Sequence, residues 1–109
     1  MYQPLVIKNT GLKPKVIEQI KNCLKQFSEI QLAVLYGSRA TGKYKPGSDI
    51  DICLFGGETL NMNTILRLDT QLDDLLLPYT FDLSIYSQID NPKLRDHIDR
   101  VGIELYNTN

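Results

Sequence analysis

The sequence predicts an α+β fold, an α/β two-layer arrangement in which a short mixed β-sheet carries helices packed mainly against one of its faces. Three observations lead there. Apolar residues recur at helical spacing from Lys13 to Phe27, Ile50, Ile52 and Leu54 recur at every second position between Asp49 and Phe55, and segments of these two kinds follow one another along the chain.

The first helix is expected over Lys13 to Phe27, because Val16, Ile17, Ile20, Cys23, Leu24 and Phe27 form one stripe opposite a lysine-rich face. Gln31 to Tyr36 reads as a buried strand, with the continuous apolar run Leu32-Ala33-Val34-Leu35 ended by Gly37. Asp49 to Phe55 is a second strand, with Ile50, Ile52 and Leu54 on one face and Asp49, Asp51 and Cys53 on the other. A second helix is predicted from Asn61 to Leu77, its stripe built from Met62, Ile65, Leu68, Leu72, Leu75 and Leu76, with Leu66 and Leu77 outside that stripe. Thr80 to Tyr86 is a third strand, in which Asp82, Ser84 and Tyr86 share the face opposite Phe81, Leu83 and Ile85. Asn91 then caps a helix that begins with Pro92, buries Leu94, Ile98 and Val101, and stops at Gly102. Ile103 to Tyr106 reads as a short final strand.

At 109 residues, 42% apolar and 23% charged, the chain has the size and composition of one globular domain, so a single domain over residues 1–109 is expected. A formal net charge of -1 argues against an extended nucleic-acid surface that neutralises many phosphates. No apolar run is long enough for a membrane span, and the N-terminus lacks the pattern of an export signal, so the expected location is the cytoplasm. Cys23 and Cys53 are too few and too far apart for a zinc cage or a disulfide framework.

The chemistry concentrates in one stretch, Leu35-Tyr36-Gly37-Ser38-Arg39-Ala40-Thr41-Gly42-Lys43-Tyr44-Lys45-Pro46-Gly47-Ser48-Asp49-Ile50-Asp51-Ile52. A strand that runs into Gly-Ser and a helical turn leaves backbone N–H groups free to meet a phosphate. Gly37 permits close approach, and the Ser38 hydroxyl and Arg39 guanidinium are candidate phosphate contacts. Asp49 and Asp51, one residue apart on a strand, project from the same face about 7 Å apart at the backbone. If the strand carrying Asp82 pairs with theirs, three carboxylates converge. Two such charges about 4 to 5 Å apart repel by roughly 3 to 4 kcal/mol at an effective dielectric near 20, and a bound dication reverses that sign. An oxygen-only cluster of this kind suits magnesium better than zinc.

Gly-Ser, ten residues, Asp-x-Asp and a third aspartate on a later strand resemble the nucleotidyltransferase superfamily that includes DNA polymerase beta. The form Gly-Ser-Arg-Ala-x-Gly followed by Gly-Ser-Asp-Ile-Asp-Ile is similar, more narrowly, to the minimal nucleotidyltransferases, the MNT antitoxins paired with HEPN-domain ribonuclease toxins. The resemblance implies a nucleotidyltransferase fold and a two-metal transfer in which Asp49, Asp51 and Asp82 hold magnesium, while Gly37, Ser38 and Arg39 hold the triphosphate of ATP. It also gives Asp82 the role of general base toward the attacking hydroxyl. In the antitoxin branch that hydroxyl is a tyrosine of the HEPN toxin, which makes a HEPN-domain protein the implied partner and AMP the group transferred. The alternative is a non-catalytic nucleotide-binding antitoxin that neutralises its HEPN partner by complex formation. A free-standing enzyme acting on an antibiotic or nucleotide is a third class, disfavoured because no residues remain for the helical second domain of larger relatives. Outside this constellation, His97 and Cys53 read as structural residues, and Lys43 and Lys45 as solvated loop charges.

Overall fold

A computed structural model of the chain describes residues 2–108. Five strands form one mixed sheet in the order β1-β5-β2-β3-β4, where β1 is Gln3–Pro4, β2 Leu32–Tyr36, β3 Ile50–Phe55, β4 Phe81–Ile85 and β5 Ile103–Asn107. Four α-helices connect them: α1 Pro14–Lys25, α2 Ser38–Thr41, α3 Met62–Asp73 and α4 Pro92–Val101. Short 3₁₀ turns occupy Ile7–Thr10 and Tyr86–Gln88. The expected strands and longer helices are all present, and the final strand, read from only four residues, lies inside the sheet between β1 and β2. The two-residue β1 has no periodic signal to announce it.

The alternation along β3 explains the layering. Ile50, Ile52 and Leu54 face α1 and α3 in the main core with Ile20, Leu24, Ala33, Leu35, Leu68 and Leu72. Val34, Tyr36 and Cys53 face the other way and pack with Ile98 of α4. Helices therefore lie mainly on one face, and α4 covers part of the second. Because β2 is buried on both sides, it reads as a continuous apolar run instead of an alternating one. Helix boundaries follow local chemistry: Asn61 Oδ1 accepts from the backbone N–H groups of Asn63 and Thr64 at 3.0 and 3.4 Å, and Asn91 Oδ1 accepts from Lys93 N–H at 2.9 Å.

Two expectations for α3 are corrected. The helix ends at Asp73, not Leu77, and Leu76 adopts a left-handed backbone with φ 56°. That turn leaves Leu76 90% exposed while Leu75 and Leu77 on either side pack against the main core. A left-handed non-glycine residue costs about 1–2 kcal/mol, and burying a leucine side chain returns about 1.5–3 kcal/mol, so two partly buried neighbours offset one strained residue. Met62, assigned to the core stripe, is instead 57% exposed in the first turn, next to Leu66 at 60%. Among the described residues no helix is long and apolar enough to cross a membrane.

Candidate active site

The site lies where β2, β3 and β4 stand side by side. β2 and β3 are antiparallel with Tyr36 opposite Asp51, and β3 and β4 are parallel with Asp51 opposite Asp82. Neighbouring strands are about 4.8 Å apart, and paired residues project from the same face, so Asp51 and Asp82 are adjacent carboxylates. This is the strand pairing on which the sequence argument depended. Asp49 and Asp82 are exposed and Asp51 is half-buried. The hydroxyl of Thr80 donates to Asp49 Oδ1, and the backbone N–H of Ile50 donates to Thr80 O at 2.9 Å, which fastens the start of β3 to the start of β4.

The electrostatics follow from this arrangement. Burial, then the charges of Asp82 and Asp49, push the Asp51 carboxyl from an ordinary 3.8 up to about 6. Among the described residues no cation is paired with these like charges. Tyr36 is 6% exposed and forms the floor beside Asp51; its hydroxyl lies 3.4 Å from Ser84 Oγ, and His97 of α4 meets its ring edge-on at 6.1 Å between centroids. Burial raises the Tyr36 pKa, the contact with Ser84 lowers it, and Asp82 and Asp51 raise it further. His97 thus has the packing role expected of it. Cys53, fully buried behind the aspartates, is pushed up to about 11, chiefly by burial.

Gly37 ends β2 with φ 73° and ψ -157°, a conformation used almost only by glycine. A side chain there would strike Asp51 Oδ2, so the glycine clears the space in which the Asp51 carboxylate lies beside the turn. The first bonds of α2 are donated by Ala40 and Thr41 N–H to Gly37 O, at 3.1 and 3.2 Å, which leaves the preceding amides of the turn available to an anion. Ser38 is half-buried at this position, and Lys43 and Lys45 are exposed on the connecting loop.

Arg39 departs from the sequence expectation that it contacts phosphate. It is 2% exposed, its Nε and Nη2 donate to Ser48 O at 3.2 and 3.1 Å, and its Nη1 donates to Thr10 O at 2.9 Å. The guanidinium is consumed by the protein interior because α2 is a single turn whose second residue points under the loop. Sequence reading placed Ser84 on the Asp82 face but missed Thr80 and Tyr36 as neighbours of the aspartates. Their contacts cross between strands and leave no local pattern.

The donor chemistry fits a hard divalent cation, since the carboxylates offer only oxygen. Among the described residues no three acidic, histidine or cysteine groups are drawn tightly enough to form a ready-made cage. Magnesium suits such an open set, because it keeps several waters and binds through one or two carboxylates plus substrate phosphates. Hollows exist elsewhere, one of about 410 Å³ lined by Tyr2, Phe55, Tyr86 and Asp99, but it lacks this grouping of carboxylates beside a glycine turn.

Comparison with known proteins identifies relatives of the sequence and of the fold. The family model described as polymerase beta, nucleotidyltransferase matches residues 18–109. An inferred protein adenylyltransferase of Methanocaldococcus jannaschii is 28% identical over 85 residues, covering 78% of this chain and 86% of its own length. A crystal structure of a toxin-antitoxin with AMP-PNP superposes with a TM-score of 0.70 at 26% identity, covering 85% of this chain and 74% of that chain. A Shewanella oneidensis structure, a tri-AMPylated HEPN toxin in complex with MNT antitoxin, gives a TM-score of 0.67 at 22% identity, covering 89% of this chain and 74% of that one.

Proposed function

Given that the chain belongs to the polymerase beta nucleotidyltransferase family, we propose that it is a magnesium-dependent enzyme that transfers AMP from ATP to a tyrosine hydroxyl of a HEPN-domain toxin and so acts as an antitoxin in the cytoplasm. The observation that carries this reading is the register of β3 with β4, which sets Asp51 beside Asp82 next to the Gly37-Ser38 turn. The AMP-PNP complex and the AMPylated HEPN toxin among the structural relatives support the choice of nucleotide and of acceptor.

In this reading Asp49, Asp51 and Asp82 hold the metal, and the amides of the Gly37-Ser38 turn with the Ser38 hydroxyl orient the triphosphate. Bound magnesium, in two ions, supplies charge neutralisation at the phosphates and at the attacking and leaving oxygens. Asp82, exposed at the edge strand, accepts the proton of the incoming tyrosine hydroxyl. The tyrosine oxygen forms a bond to the α-phosphorus, the bond to the bridging oxygen breaks, and pyrophosphate leaves with that electron pair. Thr80 keeps Asp49 turned toward the site through its hydroxyl.

ATP labelled at the α-phosphate, incubated with the protein, magnesium and the HEPN partner, should label the partner, and chelation should abolish the label. Asp49→Asn and Asp82→Asn should each lower transfer by at least about 100-fold, the scale expected when charge stabilisation or a base is removed. Unlabelled partner with wild-type protein in saturating magnesium would refute the enzyme. Neutralisation of the toxin by both aspartate variants would instead identify a non-catalytic antitoxin that works by complex formation.

A further inference from the structure

Arg39 is a buried charge, and neither ion pair found among the described residues involves it. Taking a guanidinium out of water is costly, and neutral carbonyls offset only part of that cost. Its Nη1 donates to Thr10 O at 2.9 Å in the turn before α1, and its remaining contacts converge on the site. Two of its nitrogens grip one carbonyl, that of Ser48, which immediately precedes Asp49. Its Cζ lies 4.9 Å from the ring centroid of Tyr79, which immediately precedes Thr80, the residue whose hydroxyl holds Asp49. On another side it lies 5.2 Å from the ring centroid of Tyr44, whose edge fills the space beside Gly11 where a Cβ would collide. Its own backbone follows Ser38 in the phosphate turn. One planar, always-charged group therefore joins three segments: the turn, the loop that delivers Asp49, and the approach to β4.

We propose that Arg39 is a positioning residue that fixes the Asp49 carboxylate relative to Asp51 and the Gly37-Ser38 turn, acting through the Ser48 carbonyl and the Tyr79 ring and not through the nucleotide. The inference rests on the preceding reading only in taking Asp49 as a metal ligand. Lysine cannot replace this group, because an ammonium has neither the fork that grips one carbonyl twice nor the plane that stacks on tyrosine.

The test reads metal occupancy with no acceptor present. Manganese binding to the protein with a non-hydrolysable ATP analogue is followed from the free-ion paramagnetic resonance signal. Arg39→Lys should weaken manganese binding by about 10–100-fold, the range seen when a group orienting a metal ligand is lost. Tyr79→Leu, which removes one ring and leaves the hydrogen bonds, should weaken it several-fold and covers the case in which the arginine variant fails to fold. Adding Arg39→Lys to Asp49→Asn should cause little further loss, since residues acting through one contact are not additive. Affinity for the analogue without metal should stay as in the wild type, and Ile20→Val, a core change in α1, should leave manganese binding unaltered. Wild-type manganese binding in both the Arg39 and Tyr79 variants, multiplicative losses with Asp49→Asn, or an equal loss in Ile20→Val would overturn the proposal. Failure of wild-type protein to transfer AMP would overturn the transferase reading and leave this one standing.

Discussion

Replacing Gly37 with alanine perturbs the backbone and the site through separate routes, and the structure gives a size to each. The φ of 73° with ψ -157° lies in a region that costs a non-glycine residue about 1–3 kcal/mol. For a domain of about 100 residues each kcal/mol lowers Tm by about 4–8 °C, so strain alone should bring Tm down by roughly 4–24 °C. The added methyl would also strike Asp51 Oδ2 and come within 3.0 Å of Asp51 Cγ. The far end of an aspartate can rotate away, so this collision displaces the carboxylate instead of unfolding the sheet. Metal affinity should then drop by about 10–100-fold, beyond what the stability loss explains. Thermal unfolding and manganese titration on the same samples separate the two effects. In an Asp51→Ala background the collision partner is gone, and the Tm loss from Gly37→Ala should persist, because it comes from the backbone. Gly47→Ala, whose new methyl meets nothing within 4 Å, should change stability by less than about 0.5 kcal/mol. A Gly37→Ala protein with wild-type Tm and wild-type manganese binding would refute this reasoning.

Further outcomes concern charge, register and capping. Asp51, raised from 3.8 to about 6 by burial and by the Asp82 and Asp49 charges, holds its proton more tightly folded than unfolded. Its stabilising contribution is complete below about pH 4 and is lost as pH rises through about 6, so Tm of the metal-free protein should fall between about pH 4 and 6 and magnesium should remove that fall. Tm measured across this range with and without magnesium checks the sign, and magnesium affinity itself should weaken below about pH 6. Asp82→Asn, which relieves like-charge repulsion on an exposed strand position, should abolish transfer while leaving the metal-free Tm equal to or above the wild type; a large Tm loss would show that Asp82 is structural. Thr80→Val should reduce transfer several-fold by freeing Asp49, with circular dichroism unchanged. Asn61→Ala, which removes the cap of α3, should cost about 1 kcal/mol, read as a Tm loss of about 4–8 °C with metal binding retained.

Those parts of the fold in which one face of an element meets one partner were legible in the sequence. The α1 stripe, the alternation of β3 and β4, and the cap at Asn91 are local patterns, and each sits where the sequence placed it. The α3 stop was not legible, because the run Leu75-Leu76-Leu77 satisfies a helical stripe equally well until tertiary packing favours a left-handed Leu76. At the site, spacing alone put Asp49 and Asp51 near each other, but the approach of Asp82 depended on β3 pairing with β4, which no residue pattern states outright. Arg39 misled for a related reason. An arginine after Gly-Ser suits phosphate chemically, yet only the path of the loop to Ser48 and the nearness of Tyr44 and Tyr79 turn it inward.

Anomalous scattering from crystals grown with manganese and a non-hydrolysable ATP analogue tests the central claim most directly. Manganese peaks are expected within bonding distance of oxygens from Asp49, Asp51 and Asp82, with the triphosphate against the amides after Gly37. Manganese bound only elsewhere, with the three carboxylates hydrated and the analogue away from this turn, would contradict it.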